Sequence, residues 1–500
     1  MRKILFLYFI TCTLSFTALA QATFKHTDVL KSYREAEELI SLGKYAVAQP
    51  FLQDFLQKYE NKTLDKSNLI YADAVYLKAL CEKETASPEA EKDLQYFADN
   101  FKGHPKTNNA YFHLGDIAFG KANYNDALAF FDKVDEKSLT GKDVTEFEYK
   151  RAFANFALKK FSPSRMYFNQ IAIDKKHPYN EEGHYYSGLS SYYLKDYNAA
   201  YKSFQQLELS KKYGKIVPYY IASIKFINKD YKGVVEYAEP KLKENINYQN
   251  EIAHLLGSSY YELKNYDKAL FYLEQYTQNA AKVTPEDYYA LGYVQAQKGQ
   301  CEKAIKNLEQ LSPLQTALGQ NAMFLLGQCY EKTDNKADAR TAFLQAARMS
   351  FDKTIQEEAW FQYAKLSYEL GNTNDALVAL KNFIQAYPKS TYTTEANELL
   401  ADLFLMTRNY EEAMSIIDNL SVKSEKLKEA YQKMAYYRAV ENYNDFKFDA
   451  AESFFDKSLK YPNAKSIEAL CYYWKADMAH QKSELDKSVT LLNKFIPMAT

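Results

Sequence analysis

Glycine and proline are scarce in this chain, which has 15 glycines and 12 prolines among 500 residues. Average usage is roughly 7% for glycine and 5% for proline. Tight turns and β-bulges depend on these two residues, so few of them can be built here. Long stretches rich in Ala, Leu, Lys, Glu and Tyr with so few helix breakers predict an all-α fold.

Neither positively nor negatively charged residues are in excess. The chain has 63 Lys and Arg against 64 Asp and Glu, for a net charge of −1, and no long run of one sign. Nucleic acids and anionic membrane surfaces are bound by clustered positive charge, so neither is expected as a partner. After the first twenty residues no apolar run reaches the roughly 18 residues that a transmembrane helix requires.

Motifs of catalytic or cofactor chemistry are absent as well. The sequence contains no phosphate-binding loop, dinucleotide fingerprint, nucleophile elbow or zincin motif. Its seven histidines are dispersed, and no pair of carboxylates stands out as an acid and base couple. We therefore expect a protein that is not an enzyme and that carries neither a cofactor nor a metal.

The first twenty residues have the organisation of a secretory signal peptide. Arg2 and Lys3 form a charged start, residues 4–19 are mostly apolar, and the Ala-Leu-Ala ending at Ala20 fits the small-x-small cleavage rule. Cleavage after Ala20 would leave a short segment, residues 21–28, ahead of the main fold. The mature protein is therefore expected to be exported.

The five cysteines leave two questions open. Cys12 allows an alternative lipoprotein signal, although Phe9-Ile10-Thr11 is a poor lipobox and the apolar run continues past the cysteine. The other four are scattered without a C-x-x-C motif, which indicates separately buried thiols rather than a zinc or redox site. A bridge between Cys301 and Cys329 is the alternative if the compartment is oxidising.

A repeat runs along the chain. Asn or Asp followed by Tyr, with Ala three residues after the Tyr, recurs in NYNDAL (123–128), DYNAAY (196–201), NYDKAL (265–270) and NYEEAM (409–414). A second signature precedes the better copies, as in YFHLGDIAF (111–119), HLLGSSYY (254–261), YALGYVQA (289–296) and FLLGQCY (324–330). Equivalent positions are mostly 34 to 38 residues apart.

This pattern resembles the tetratricopeptide repeat family, whose unit is a helix–turn–helix of 34 residues. Residues 320–353 carry it clearly, with Leu326, Gly327 and Tyr330 in the first helix and Ala339 and Phe343 in the second. The resemblance implies a right-handed α-solenoid over residues 29–500. We count about thirteen units, which start near residues 29, 71, 108, 145, 181, 215, 250, 285, 320, 357, 394, 432 and 469.

The recurrent residues have a physical explanation. Gly or Ala at position 8 and Ala at position 20 allow the two helices to approach closely, and a large residue at position 24 fills the space. Solenoids normally end in a polar capping helix, and none follows unit 13. We therefore expect the chain to continue past Thr500 or another subunit to cover this end.

The resemblance implies a concave face lined by positions 5 and 12 of the first helices. Position 5 is aromatic in eight consecutive units: Phe112, Tyr149, Tyr185, Tyr219, His254, Tyr289, Phe324 and Phe361. Position 12 adds Phe119, Phe156, Tyr192, Phe226, Tyr261 and Tyr368. Two interpretations stay open: a ladder of packing contacts, or a groove that binds an extended peptide or a glycan.

Residues 383–404, and less closely residues 97–119, are similar to the repeat variant of bacterial envelope scaffolds. The scaffolds meant are the Tol–Pal-associated coordinator and the lipoprotein of the β-barrel assembly machine. The amino-acid composition of the chain also resembles that of Bacteroidetes envelope proteins. The resemblance implies an exported scaffold in the periplasm or at the outer-membrane periphery, with envelope proteins or peptides as partners. The alternatives are a module that captures glycans or peptides, and the sensor half of a longer signalling protein.

Overall fold

The computed structural model describes residues 30–61, 68–420 and 423–499. These residues form 26 α-helices and no β-strand, which confirms the predicted all-α fold. The predicted signal peptide with Cys12 and the segment 21–28 lie outside the described residues. The chain divides into two compact units, residues 1–249 and 250–500, here called the first and the second unit.

The helices of the first unit follow one another in pairs joined by short turns. They are α1 (30–41), α2 (Tyr45–Asn61), α3 (Leu69–Glu84), α4 (Ala90–Asn100), α5 (Thr107–Gly120), α6 (Tyr124–Phe131), α7 (Lys142–Ala157), α8 (Phe161–Ile173), α9 (Asn180–Tyr193), α10 (Tyr197–Gln205), α11 (Val217–Ile227) and α12 (Tyr231–Lys241).

The second unit continues the same alternation, and α13 begins at the boundary residue. Its helices are α13 (Gln249–Glu262), α14 (Tyr266–Asn279), α15 (Pro285–Gln297), α16 (Cys301–Leu308), α17 (Ala317–Lys332), α18 (Lys336–Arg348), α19 (Lys353–Glu369), α20 (Thr373–Ala386), α21 (Thr393–Thr407), α22 (Tyr410–Asp418), α23 (Glu425–Asn444), α24 (Phe448–Leu459), α25 (Lys465–Gln481) and α26 (Leu485–Phe495). The predicted repeat starts lie within four residues of the beginning of an odd-numbered helix, except the start near 432, which lies seven residues after α23 begins.

The recurrent Asn/Asp-Tyr dipeptide begins the second helix of a pair. Asn123, Asp196 and Asn265 are N-cap residues whose side chains accept hydrogen bonds from backbone N–H groups three residues later. Such a cap satisfies a donor that the first helical turn leaves free. The residue before the cap adopts a left-handed conformation, as at Lys195 with φ 61°, and this reverses the chain between the two helices.

The two helices of a pair pack small residues against large ones, as the repeat predicts. A methyl group on Gly188 would lie 2.7 Å from Cε1 of Phe204, and one on Gly327 would lie 2.8 Å from Cδ1 of Phe343. Ala200 and Ala339, at position 20, are fully buried. This close approach forms the core of each repeat, and it holds the first helices in a regular row within each unit.

Candidate functional site

Three pairs of tyrosines with rings in contact recur in the first unit, two of them stacked and the third tilted. Each pair joins a position-5 tyrosine to a tyrosine that precedes the next first helix: Tyr149 with Tyr179 (4.4 Å between ring centroids, 18° between planes), Tyr185 with Tyr213 (4.3 Å, 20°) and Tyr219 with Tyr248 (5.1 Å, 36°). We call these six residues the tyrosine face. Position 5 is therefore covered by a second ring in three successive repeats.

The second tyrosine of each pair was not predicted to take part. Tyr179, Tyr213 and Tyr248 lie two residues before the repeat starts near 181, 215 and 250. The same offset from the start near 394 gives Tyr392, which stacks on Phe361 at 4.6 Å and 14°. The sequence therefore contains a signal for these tyrosines, but the signal lies in the connection between successive repeats, outside the repeat motif.

The tyrosine face is only partly open to solvent. Tyr149, Tyr185 and Tyr219 are half-buried, Tyr213 is 5% exposed and Tyr248 is 41% exposed. Burial raises the pKa values of Tyr149, Tyr185 and Tyr213, so their hydroxyl groups stay protonated at neutral pH. The rings thus offer edges and neutral hydroxyls rather than full faces.

A chain of ion pairs lies beside the first tyrosine pair. The Tyr179 hydroxyl donates to Glu146 at 2.9 Å, and Glu146 pairs with Lys150 at 2.9 Å. Lys150 also pairs with Asp116, which Lys83 contacts at 2.9 Å. Burial alone would raise the pKa of Asp116, but Lys150 and Lys83 outweigh it and hold that pKa below its ordinary value. The network ties the first helices of three successive repeats together.

The position-12 aromatics of the first unit form a second row of ring contacts. They are half-buried, and each contacts the aromatic residue that begins its own second helix, at these centroid distances: Phe119 with Tyr124 (5.5 Å), Phe156 with Phe161 (5.8 Å), Tyr192 with Tyr197 (5.7 Å) and Phe226 with Tyr231 (5.5 Å). Phe119 also meets Phe153 of the next repeat at 5.8 Å, and Tyr192 meets Tyr220 at 5.7 Å. These contacts join neighbouring repeats.

The first position-5 ring of the second unit, His254, is held differently. His254 stacks on Tyr276 at 4.4 Å, and its Nε2 lies 2.6 Å from the buried carboxylate of Asp287. Burial alone would raise the pKa of Asp287, but hydrogen bonds from His254 and Thr284 lower it to about 2. Thr284 and Asp287 also form a capping box at the start of α15.

The remaining predicted site residues divide by burial. Phe112 and Phe361 are 2% and 1% exposed, so their rings belong to the core and line no surface. Tyr289, Phe324, Tyr261 and Tyr368 are half-buried. Phe324 packs on Phe343 at 5.6 Å, and Tyr261 packs edge-on against Tyr293 at 5.5 Å. Packing accounts for much of the aromatic column, and whether its rings bind a partner stays a prediction.

Several histidines have partners within the fold. His113 is buried beside the Tyr76 hydroxyl at 3.1 Å, and burial lowers its pKa to about 3. His177 lies 3.0 Å from Glu148. Across the described ranges, no group of three or more His, Cys, Asp and Glu side chains is placed to hold a metal ion. In the same ranges, no helix combines the length and apolar character needed to cross a membrane.

Family models support the repeat assignment in the second unit. Models described as tetratricopeptide repeat match residues 251–282, 289–352 and 358–390. The matches cover helices α13 to α20, where the small-against-large packing follows the family pattern. The chain therefore contains tetratricopeptide repeats, and this class of repeat typically serves as a non-catalytic scaffold for protein–protein interaction.

Solved structures show more distant similarity. A structure titled Naa15/Naa10 bound to HypK-THB is 11% identical with a TM-score of 0.40, and the alignment covers 94% of this chain and 75% of that one. The tetratricopeptide domain of P58(IPK) is 13% identical with a TM-score of 0.21, covering 81% and 97%. No curated protein matches the sequence significantly. The assignment therefore rests on the family models and the helix packing.

Proposed function

We propose that this protein is an exported scaffold that holds an extended segment of a partner protein along its tyrosine face. Tetratricopeptide repeats bind protein partners as a class, which gives the general activity. The tyrosine face supplies the particular surface. Its three pairs recur at intervals of one repeat, so a partner that contacts all of them must be extended across several repeats.

The observation that carries the proposal is the ring contact within each of the three pairs. Each ring is fixed by its partner before anything binds, so a peptide orders few protein side chains when it docks. Tyrosine offers apolar area together with a neutral hydroxyl that can donate to a peptide carbonyl. A rigid row of half-buried tyrosines therefore suits an extended peptide better than a flexible polar surface would.

The ion pairs beside Tyr179 add polar groups to the same region. Glu146, Lys150 and Asp116 have side chains that are 17% to 19% exposed, so each keeps some contact with solvent. Acceptors and donors therefore lie next to the first aromatic pair. A peptide with both apolar side chains and free backbone groups would find partners for each.

The test is capture of partners from an envelope fraction by the mature chain, compared with a glycan array. The double variant Tyr185→Phe with Tyr219→Phe keeps both stacked rings and removes only their hydroxyls. The double variant Tyr185→Ala with Tyr219→Ala removes the rings. We expect the captured protein to bind several-fold more weakly to the Phe variant and to be lost from the Ala variant.

Two controls separate binding from folding. Tyr96 is 48% exposed on the second helix α4, so Tyr96→Ala should leave capture unchanged. Tyr289→Ala with Phe324→Ala makes the matched change at position 5 of the second unit. Unaltered capture by the Tyr185→Ala and Tyr219→Ala variant would remove the tyrosine face from consideration, and a glycan hit without protein capture would favour the glycan-binding alternative.

Export rests on the leader sequence and is tested separately. Expression of the full chain in a bacterial host should yield a mature protein that begins at Gln21, in the periplasmic fraction. N-terminal sequencing of that protein gives the cleavage site. A protein that keeps Met1 and stays in the cytoplasm would contradict export without affecting the proposed binding surface.

A further inference from the structure

The last α-helix of the described chain, α26, exposes apolar side chains along one face. Leu485, Val489 and Ile496 are 60%, 57% and 62% exposed, and Leu492 is half-buried. Ile496 keeps helical dihedral angles where the helix ends, with φ −49° and ψ −49°. Residues spaced by four, three and four positions share one helical face. These four side chains therefore form a single row, which we call the α26 stripe.

A different face of α26 is already packed against α25. Ser488 is 6% exposed, and its hydroxyl donates to the carbonyl oxygen of Ala476 at 2.8 Å. Leu491 is 9% exposed and packs with Ala476 and Ala479. These contacts hold the helix in place and leave most of the α26 stripe outside them.

The preceding second helix, α24, shows how the same surface is used inside the repeat array. The residues 37 positions before the α26 stripe include Phe448, Phe455 and Leu459. They pack with Cys471 and Met478 of α25, the first helix of the next repeat, and Phe455 is fully buried. The α26 stripe is therefore the surface by which one repeat joins the next, and among the described residues no further helix covers it.

We propose that the α26 stripe is a self-association surface, on which α26 of a second copy of this chain packs antiparallel about a two-fold axis. The spacing of four, three and four reads the same in both directions. An antiparallel second copy therefore places Leu485 opposite Ile496 and Val489 opposite Leu492, and the symmetry repeats both contacts. Alternating spacings of three and four are those of a helix–helix seam, so the pairing covers the whole stripe.

The polar residues beside the stripe favour the antiparallel direction. Asp486 and Asn493 are exposed and each follows a stripe residue, so they lie along the same edge of the stripe. Antiparallel pairing brings the Asp486 carboxylate of each copy beside the Asn493 amide of the other, which can donate a hydrogen bond to it. Parallel pairing would instead set the two Asp486 carboxylates at the same end of the pair, where like charges repel.

The size of the stripe predicts weak association. A standard interface takes about 20–30 residues from each partner, and the stripe with its polar edge offers only a small part of that number. We therefore expect a dimer that forms in the micromolar range and exchanges with monomer. The stripe lies in the second unit, whereas the tyrosine face lies in the first, so the pairing does not depend on the proposed binding of a partner protein.

Sedimentation velocity of the mature chain over the micromolar range tests the pairing. We expect the wild-type chain to change from monomer to dimer as its concentration rises, and the double variant Val489→Glu with Ile496→Glu to stay monomeric. Val378 is 56% exposed on α20, so Val378→Glu is the matched control and should dimerise like the wild type. Circular dichroism at low concentration should give all three chains the same melting temperature, because each change is at an exposed position.

Cysteine cross-linking under mild oxidation tests the direction of the pairing. The native cysteines of the described chain are buried, so an introduced surface cysteine reports the contact. Antiparallel pairing separates identical positions at the ends of the stripe by about 16 Å along the helix axis. A mixture of Leu485→Cys and Ile496→Cys chains should therefore form a linked dimer, whereas neither chain alone should link to itself.

Three results would overturn the proposal. The first is a wild-type chain that stays monomeric, and the second is a dimer that survives in the Val489→Glu with Ile496→Glu variant, which would place the contact elsewhere. The third is self-linking of the Leu485→Cys chain, which would show a parallel pair. A monomeric wild-type chain together with a lower melting temperature of the double variant would show that a segment of the same chain covers the stripe instead.

Discussion

The two units use the same packing within a helix pair but cover their first helices differently. In the first unit, Tyr149, Tyr185 and Tyr219 each pack against a tyrosine from the following connection. In the second unit, His254 combines a stacked Tyr276 with the buried carboxylate of Asp287. The core of a repeat is therefore conserved between the units, while its outer first-helix surface varies.

The packing within a helix pair extends beyond the residues that the family models match. The matches at residues 251–282, 289–352 and 358–390 lie inside the second unit. There Gly257, Gly292 and Gly327 lie against Leu273, Leu308 and Phe343, in the family pattern. The first unit has Gly115 and Gly188 in the same role, against Phe131 and Phe204. A repeat can thus keep its geometry after its sequence has become hard to recognise.

A charge in the small position of either unit should have the largest effect. Ala200→Asp in the first unit and Ala339→Asp in the second place a carboxylate at sites with no exposed surface. An unpaired buried charge costs about 4 kcal/mol or more. Both variants should lose hydrogen-exchange protection in their own repeat and in the next one.

The matched controls are Gln205→Asp and Gln345→Asp, on exposed positions of the same helices α10 and α18. These should keep the protection of the wild-type chain. If Ala200→Asp were tolerated while Ala339→Asp was not, the first unit would not share the packing of the second. The comparison between the units would then fail at its common element.

Removing a tyrosine that covers position 5 should destabilise the first unit more than the matched change destabilises the second. Tyr213 in the first unit is 5% exposed, and Leu318 lies at the same repeat offset in the second unit but is only half-buried. Deleting a buried aromatic side chain costs about 3 kcal/mol, and a half-buried leucine about 1 kcal/mol. Tyr213→Ala should therefore destabilise its unit more than Leu318→Ala destabilises the other, as measured by urea unfolding followed through local hydrogen exchange. Equal losses would show that the stacked pairs add nothing.

Features of the fold that depend on local sequence could be predicted, whereas contacts between residues far apart in the sequence could not. The all-α class, the small residues such as Gly327, and the Asn/Asp-Tyr turns follow from local patterns that recur in sequence. The tyrosine pairs join position 5 to a connection about thirty residues later, and nothing local marks Tyr213 as the partner of Tyr185. Burial of Phe112 and Phe361, beside half-burial of Tyr149, likewise depends on neighbours that the repeat register does not specify.

Acid should reveal the contribution of the buried carboxylate of Asp287 beside His254 in the second unit. The pKa of Asp287 is lowered to about 2 from 3.8, so its contribution is complete above pH 4 and is lost as the pH falls towards 2. The difference corresponds to roughly 2 kcal/mol. Asp287→Asn should lower the free energy of unfolding by about that amount at neutral pH and flatten its decrease between pH 4 and pH 2.

The first unit offers the matched change for this acid effect. Lys150 and Lys83 lower the pKa of Asp116, so Asp116→Asn should act in the same direction. Thermal unfolding across the pH series, with each variant subtracted from the wild-type chain, isolates the two carboxylates from the many others. If Asp287→Asn kept the full wild-type acid dependence, His254 would not be held by a charge, and the contrast with the tyrosine pairs would disappear.

The smallest expected effect concerns the turn between the helices of a pair, which both units build with a residue in the left-handed conformation. Both units contain non-glycine residues in the left-handed conformation at this turn, such as Lys195 in the first unit and Lys264 in the second, and both also use glycine there, as at Gly43 and Gly299. A left-handed conformation is strained for any residue with a Cβ and free of strain for glycine. Lys195→Gly should therefore stabilise the first unit by about 0.5–1 kcal/mol, and Gly299→Ala should destabilise the second by a similar amount. Local hydrogen exchange at α10 and α16 measures both, and a loss of protection in Lys195→Gly would mean that the lysine makes a contact worth more than the strain it imposes.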